Sequence, residues 1–402
     1  MIVQSLNISN YRNIENIEFQ PSPGVNVIYG ENAQGKTNLL EAIWLFTGLR
    51  SFRGSKEREL RRFDAEAAKL SMAFHNDVRD MTADILITDK KTASLGGLPY
   101  GASTKLVGEF LAVIFAPQHL DLIKGGPAER RKFLNQALCQ LKPNYAKALT
   151  QFNRAMQQRN QLLKDAIYHS ELYDTLDVWD DRFCTFGAYV ISERMKYLDE
   201  LRPFLEEFYG GISGGREKIS IEYAAGTGSS GSSGSVNAKF QAQAAKLAGL
   251  EATESGNAEQ ESFQFSSSDP AVIKQELALL LKAHRREDAF AGFTTVGPHR
   301  DDLVVKLDGL SVKSFGSQGQ QRSCALSLKM SEGFVIRALT GKQPVALLDD
   351  VMSELDAGRQ DYILNHIDGW QVFLTCCEPS SILLSKQSEN GKLFEVAGGK
   401  LI

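Results

Sequence analysis

The stretch that decides the fold is Tyr29–Trp44, YGENAQGKTNLLEAIW. Gly30, Gly35, Lys36 and Thr37 stand at the spacing G-x-x-x-x-G-K-T, the pattern of a phosphate-binding loop. In such a loop backbone N–H groups cradle phosphate oxygens, the lysine reaches the β- and γ-phosphates, and the hydroxyl is placed for Mg²⁺. The flanks supply the context the loop requires. Before it, GVNVIYG (Gly24–Gly30) is a β-branched run that reads as a strand. After it, Leu39, Leu40, Ile43, Leu45 and Phe46 mark a buried helix. A strand, a glycine loop and a helix in that order put a phosphate on a helix N-terminus. Gly30, Glu31, Asn32, Ala33, Gln34, Gly35, Lys36 and Thr37 are therefore the expected nucleotide-binding residues.

Composition sets the bounds. A chain of 402 residues with 43% hydrophobic content can bury a large core and is expected to form two lobes. The formal net charge of -4 offers no overall positive field, so a nucleic acid would have to meet a local basic patch. The five cysteines (Cys139, Cys184, Cys324, Cys376, Cys377) show no C-x-x-C spacing, as expected of reduced thiols in a cytoplasmic protein. The opening MIVQSLNISNYRNIENIEF lacks the basic and apolar regions of a signal peptide, and no window reaches about eighteen apolar residues.

Alternation at Ile2, Val3, Leu6, Ile8 and at Ile14, Ile17, Phe19 predicts short strands; MTADILITD and KLVGEFLAVIFAP read as further ones. From Pro127 to Tyr209 the period becomes helical. Tyr145, Leu149, Phe152 and Met156 form one stripe, and Leu172, Leu176, Trp179, Phe183, Phe186 and Val190 another. Two helices packed as an antiparallel hairpin fit these stripes, which are too short for a long supercoil. GTGSSGSSGS opens a polar segment, 226–268, of flexible-linker composition. AVIKQELALLLKAHRREDAF then predicts one amphipathic helix. DDLVVKL, QPVALLDD and GWQVFLTCC read as strands, with QQRSCALSLKMSEGFVIRAL a helix between them. Strands separated by helices favour a largely parallel α/β sheet. The expected division is 1–125 and 286–402 in one lobe, with 126–285 as an inserted helical lobe.

A phosphate loop needs a carboxylate for its metal. PVALLDD (Pro344–Asp350) delivers Asp349 and Asp350 at the C-terminal edge of an apolar strand, where α/β sheets bind ligands. Asp349 is expected to hold Mg²⁺ with Thr37, and Asp350 to polarise the attacking water. Ser317-Gln318-Gly319-Gln320 precedes a helix and makes a second anion site at its N-terminus. Taken alone it is simply a capped helix. Together with the first site, it makes sense if one nucleotide is sandwiched between two copies of the chain.

The order of phosphate loop, serine-glycine-glutamine signature, acidic strand end and MSELD (Met352–Asp356) resembles ATP-binding-cassette ATPase heads. GENAQGKTNLLEAIW, SFRGSKEREL, GPHRDDL, SQGQQR and LLDDVMSELD resemble the RecF family of DNA recombination mediators in particular. The resemblance covers the chain except 226–268. It implies a cassette-type head with an inserted helical lobe, binding ATP and Mg²⁺. It implies catalytic roles for Lys36, Asp349 and Asp350, and in-trans contacts from Ser317, Gln318, Gly319 and Gln320. It implies a dimer-lining role for Ser353 to Asp356. Thr375 stands where wider cassette ATPases carry a switch histidine, Gln118 is a further metal or water contact, and Tyr11 and Arg12 resemble residues near the adenine. The family implies an ATP-dependent homodimeric clamp on single-stranded and gapped duplex DNA, with slow DNA-stimulated ATPase activity. It acts in DNA repair, recombinase loading and the SOS response, with partner mediators such as RecR and RecO.

Candidate DNA contacts are Arg53, Lys56, Arg58, Arg61 and Arg62, and Arg130, Arg131 and Lys132, since phosphate contacts need clustered cations. Arg58, Arg61 and Arg62 fit one helical face. An SMC-type chromosome-organising ATPase shares the head but separates its halves by very long coiled coils, against which the short helical stretch argues. A transporter subunit predicts a different signature, and a phosphate-loop kinase or GTPase leaves SQGQQR unexplained.

Overall fold

The computed structural model describes residues 1–166, 168–226, 263–352, 355–379 and 391–402. Most of the 226–268 segment, and Ser353 and Glu354 of the MSELD stretch, lie outside the described residues. The N-terminal alternation forms an antiparallel sheet in the order β2-β1-β4-β5-β6-β7. Its strands are β1 (Ile2–Tyr11), β2 (Ile14–Phe19), β4 (Ala68–His75), β5 (Asp80–Ile87), β6 (Lys91–Leu95) and β7 (Leu98–Tyr100). Val3, Leu6 and Ile8 are buried while their neighbours are not, the signature of a sheet packed on one face only.

The sheet that carries the loop runs β15-β14-β3-β13-β12-β8. It comprises β3 (Val25–Tyr29), β8 (Ala112–Phe115), β12 (Val345–Asp349), β13 (Val372–Cys376), β14 (Lys392–Ala397) and β15 (Lys400–Leu401). Every neighbouring pair is parallel except β14–β15. VALLD of β12 and VFLTC of β13 are buried at every position, as strands covered on both faces must be. Helix α1 (Lys36–Leu45) follows the loop, and eight of its ten residues are buried. The expected long strand in KLVGEFLAVIFAP is only Ala112–Phe115. Upstream the chain turns through a short 3₁₀ segment, Ser103–Leu106, and a left-handed Gly108, which interrupt any ladder.

A second core belongs to the helical lobe. After α2 (Glu57–Leu60) and α3 (Asp121–Lys124) come α4 (Pro127–Leu141), α5 (Pro143–Asp165) and α6 (Leu176–Ser213). Tyr145, Phe152, Phe183 and Val190 of the two stripes are buried, with Leu149, Met156, Trp179 and Phe186 packed against them. At 38 residues α6 is about 57 Å long, too short for an extended coiled coil. The single helix expected after the linker is two, α7 (Pro270–Ala283) and α8 (Arg285–Ala291), broken at His284. Buried Asp288 of α8 pairs with Arg159 of α5 at 2.7 Å and accepts from Thr295, which fixes the second helix independently of the first.

DDLVVKL also lands differently from the parallel pattern. As β10 (Asp302–Leu307) it pairs antiparallel with β9 (Ile219–Ala224) and β11 (Leu310–Ser311), and its apolar face joins the helical-lobe core. Then α9 (Val312–Phe315) leads into α10 (Gln318–Thr340), which packs on α6 and on β8, linking the two cores. The last helix is α11 (Ala357–His366).

Candidate nucleotide site

The loop is shaped by backbone conformations that side chains resist. Gly30 has φ 146° and Gly35 has φ 115°. A Cβ at Gly30 would stand 2.3 Å from the Val396 carbonyl oxygen, so glycine is required there on both counts. Lys36 is buried, and its ammonium donates to the carbonyls of Gly30 at 2.5 Å and Glu31 at 2.8 Å. Glu31, Asn32 and Ala33 are exposed at the loop's crest.

Register carries the second half of the site to the first. Asp349 lies opposite Thr375 on the neighbouring strand, and Cys376 opposite Tyr29 at the start of the loop. Thr37 Oγ1 donates to Asp349 Oδ1 at 2.9 Å, and Thr375 Oγ1 donates to the same oxygen at 2.8 Å. The Asp350 N–H donates to the Thr375 hydroxyl at 2.9 Å. Thus Thr375, at the position of a switch histidine by resemblance, orients the Asp349 carboxylate and the backbone of the residue beside it. Burial raises the Asp349 pKa, opposed by its hydroxyl donors and reinforced by Asp350. A hydroxyl, a buried carboxylate and a second acid form a hard-oxygen donor set, which fits Mg²⁺. Gln118 is exposed on a 3₁₀ turn just beyond β8, the strand flanking β12. It lines a cavity of about 350 Å³ with Arg53, His119 and Lys329.

Ser317 is the N-cap of α10. Its hydroxyl accepts from the Gln320 N–H at 3.3 Å, and its own N–H donates to Gln320 Oε1 at 2.6 Å, a reciprocal capping box. Ser317 and Gln318 are exposed. Among the described residues, no bond joins the side chains of Ser317, Gln318 or Gln320 to the Gly30–Thr37 loop of their own chain.

Several residues singled out from the sequence are engaged within the fold. Tyr11 is fully buried, with no surface to offer an adenine. Arg12 holds the buried Glu41 of α1 through two bonds, at 2.9 and 2.8 Å, and also donates to Ser55. The helical face of Arg58, Arg61 and Arg62 does not form. Helix α2 stops at Leu60 because Arg61 is extended and bridges Tyr11, while the Arg62 N–H donates to Asn10. Arg58 and Arg62 are exposed, and Arg61 reaches Glu66 and Asp89. Arg130 is buried and grips Asp302 at 2.6 and 2.8 Å and the carbonyls of Leu122 and Gly125. It is a structural arginine with no free face for a phosphate. Arg131 is half-buried and donates to the Asp301 carbonyl.

The loop's supports could not be read beforehand. Asn13 donates to the Gln34 carbonyl at 3.1 Å, as does Gly399 N at 3.0 Å, and Gly398 N donates to Gln34 Oε1 at 2.6 Å. The Gly398-Gly399 pair is a legible hairpin-turn signal, but nothing local announces that the hairpin braces the loop.

Residues 5–208 match the family model described as AAA domain. The chain is 35% identical to the DNA replication and repair protein RecF of Agathobacter rectalis over 100% of this chain and 99% of that protein. It is likewise 35% identical to its counterpart in Lachnoclostridium phytofermentans, over 99% of each. Among solved structures it is similar to the recombination mediator protein RecF of the RecFOR pathway, determined with ATP. The TM-score is 0.83 at 32% identity, covering 100% of this chain and 97% of that one. The Smc head domain of Pyrococcus furiosus, at TM-score 0.52 and 12% identity, covering 100% of this chain and 96% of that one, shares the fold. Among the described residues no helix is long and apolar enough to cross a membrane. The loop, the acids beside it and the full-length likeness agree, and the chain belongs to the RecF family of DNA replication and repair proteins.

Proposed function

We propose that the chain is an ATP-gated clamp on DNA. ATP with Mg²⁺ binds at Gly30–Thr37 of one copy and is closed by Ser317–Gln320 of a second, and slow hydrolysis stimulated by DNA reopens the pair. The observation that carries this reading is the meeting of Thr37, Asp349 and Thr375 beside the glycine loop, at the C-terminal edge of parallel strands. Lys36 would exchange its bonds to loop carbonyls for the β- and γ-phosphates. Thr37 and Asp349 would hold Mg²⁺, which when bound would supply positive charge to offset that of the phosphates. Asp350 would orient the attacking water. Its short side chain, and Thr375 in place of an imidazole, favour slow turnover, suited to a switch.

The exposed signature supports the two-copy arrangement, since it has no partner on its own loop. Arg58, Arg62 and Arg131 would take DNA phosphates, with single-stranded and gapped duplex DNA the partners. Recombination mediators such as RecR and RecO would act with it, in the cytoplasm. Light scattering with and without ATP and gapped DNA tests the core of this: the mass should double with ATP. A mass that stays monomeric in every condition sinks the clamp.

A further inference from the structure

A cavity of about 840 Å³ lies apart from the Gly30–Thr37 loop. It lies between the segment that follows α1 and the helical lobe, so both lobes form its walls. Its charge is one-sided: Arg50, Lys56, Arg131, Lys132 and Arg194 line it against the single carboxylate Glu57. Arg194 is nearly inaccessible and locked in place, donating to the Pro298 carbonyl at 2.7 Å and to Asn135 Oδ1 at 2.9 Å. Buried Asp301 offsets part of this charge from behind, accepting from Tyr223 and from Gly226 N. The offset is incomplete. Burial, then Arg194, lowers the pKa of Arg131, with Arg300 adding to the crowding. Cations held together at such a cost favour an anion among them.

The same wall offers a flat uncharged ring. His299 donates through Nε2–H to the Thr294 carbonyl, 3.0 Å away, and packs 6.0 Å from the rings of both Phe152 and Phe183. Burial pushes its pKa down to about 4, so the ring is neutral at physiological pH. Neutral aromatic faces beside a cationic groove are the two ingredients of single-strand recognition, in which bases stack and phosphates pair with Arg and Lys. The volume lies in the range of small-ligand sites, which admits a strand of one or two nucleotides and not a duplex.

We propose that this inter-lobe cleft binds a short single-stranded nucleic-acid segment, its phosphates on Arg131 and Lys132 and a base against His299. This rests on the DNA reading above and assigns the strand a place distinct from the nucleotide loop and from the exposed Arg58 and Arg62. A strand seated there touches the head and the helical lobe at once.

The test is the salt dependence of binding of a labelled oligothymidylate to the full chain, measured by fluorescence anisotropy. Each phosphate contact on a single strand adds about 0.7 to the slope of log K against log salt. Arg131→Ala with Lys132→Ala should therefore lower the slope by about 1.4, and Lys132→Ala alone by about 0.7. Lys132 is exposed, so the single variant is read without disturbing the fold. An oligomer carrying 5-iodouracil should crosslink to the peptide containing His299. Unchanged slopes, or crosslinks confined to peptides outside the cleft, overturn the assignment. So does a thymidine monophosphate affinity equal to that of the oligomer, which would make the site one for free nucleotides. If the unaltered chain binds gapped duplex but no oligothymidylate, only this inference fails; if it binds neither, the DNA reading fails with it.

Discussion

Thr37 donates to Asp349 at 2.9 Å across 312 positions of sequence. The bond joins the two halves of the candidate site, and Thr375 holds the same carboxylate oxygen from the next strand at 2.8 Å. Asp349→Asn should preserve the fold, since the amide oxygen still accepts from both hydroxyls. Phosphate release should fall by on the order of 10²-fold, as for loss of one preorganised electrostatic group. Turnover at the unaltered rate would remove Asp349 from the chemistry.

Lys36 sits against the Gly30 and Glu31 carbonyls, at 2.5 and 2.8 Å. A guanidinium is planar and larger and does not reproduce a compact ammonium. Lys36→Arg should abolish turnover while DNA binding, measured by anisotropy, survives. Normal ATP hydrolysis in this variant contradicts the loop assignment.

Ser317 is exposed, and among the described residues its side chain makes no hydrogen bond to the loop of its own chain. Ser317→Arg removes an N-cap, a local cost of about 1 kcal/mol, and places a bulky side chain where a second copy is expected. ATP should still bind to the monomer, and light scattering should show no ATP-induced doubling of mass. A variant that still dimerises with ATP shows that the contact in trans lies elsewhere.

Arg130 and Asp302 form a paired contact at 2.6 and 2.8 Å, with the arginine buried and the acid one-quarter exposed. Arg130→Ala leaves the carboxylate unpaired and should cost about 3 kcal/mol of stability, seen as a lower urea midpoint. An unchanged midpoint with weakened DNA binding would restore the DNA role that its burial argues against.

His299 is neutral in the folded chain down to about pH 4, against an ordinary 6.5. The unfolded chain therefore takes up a proton first as the solution is acidified. The stability from neutral His299 is fully present above about pH 6.5 and is lost as the pH falls through about 4. His299→Gln, which can still donate to Thr294, should flatten this part of the acid limb in urea titrations from pH 7 to pH 4. An acid limb identical to that of the unaltered chain refutes the assignment.

The features legible in the sequence were those set by neighbours along the chain. Glycine at 30 and 35 answers a local backbone need, the alternation at Val3, Leu6 and Ile8 a one-sided sheet, and the apolar run before Asp349 a doubly covered strand. Breaks were harder to see. The pattern around His284 is helical on both sides, and the contacts that hold the second helix, the Arg159–Asp288 pair among them, come from far along the chain.

By itself the sequence points to the kind of site: a candidate phosphate loop, an acidic strand end and a signature-like stretch on a helix cap, each a short pattern whose chemistry is local. The tertiary structure decided everything that depends on which strand lies beside which. It put Thr375 rather than an imidazole on Asp349, turned the Gly398-Gly399 hairpin into a brace for Gln34, and sent Asp302–Leu307 to the helical lobe. It withdrew Arg130 from the surface while leaving Arg131 at a cationic cleft. Strand partners and buried ion pairs join residues far apart in the chain, so no window of sequence contains the interaction that selects them.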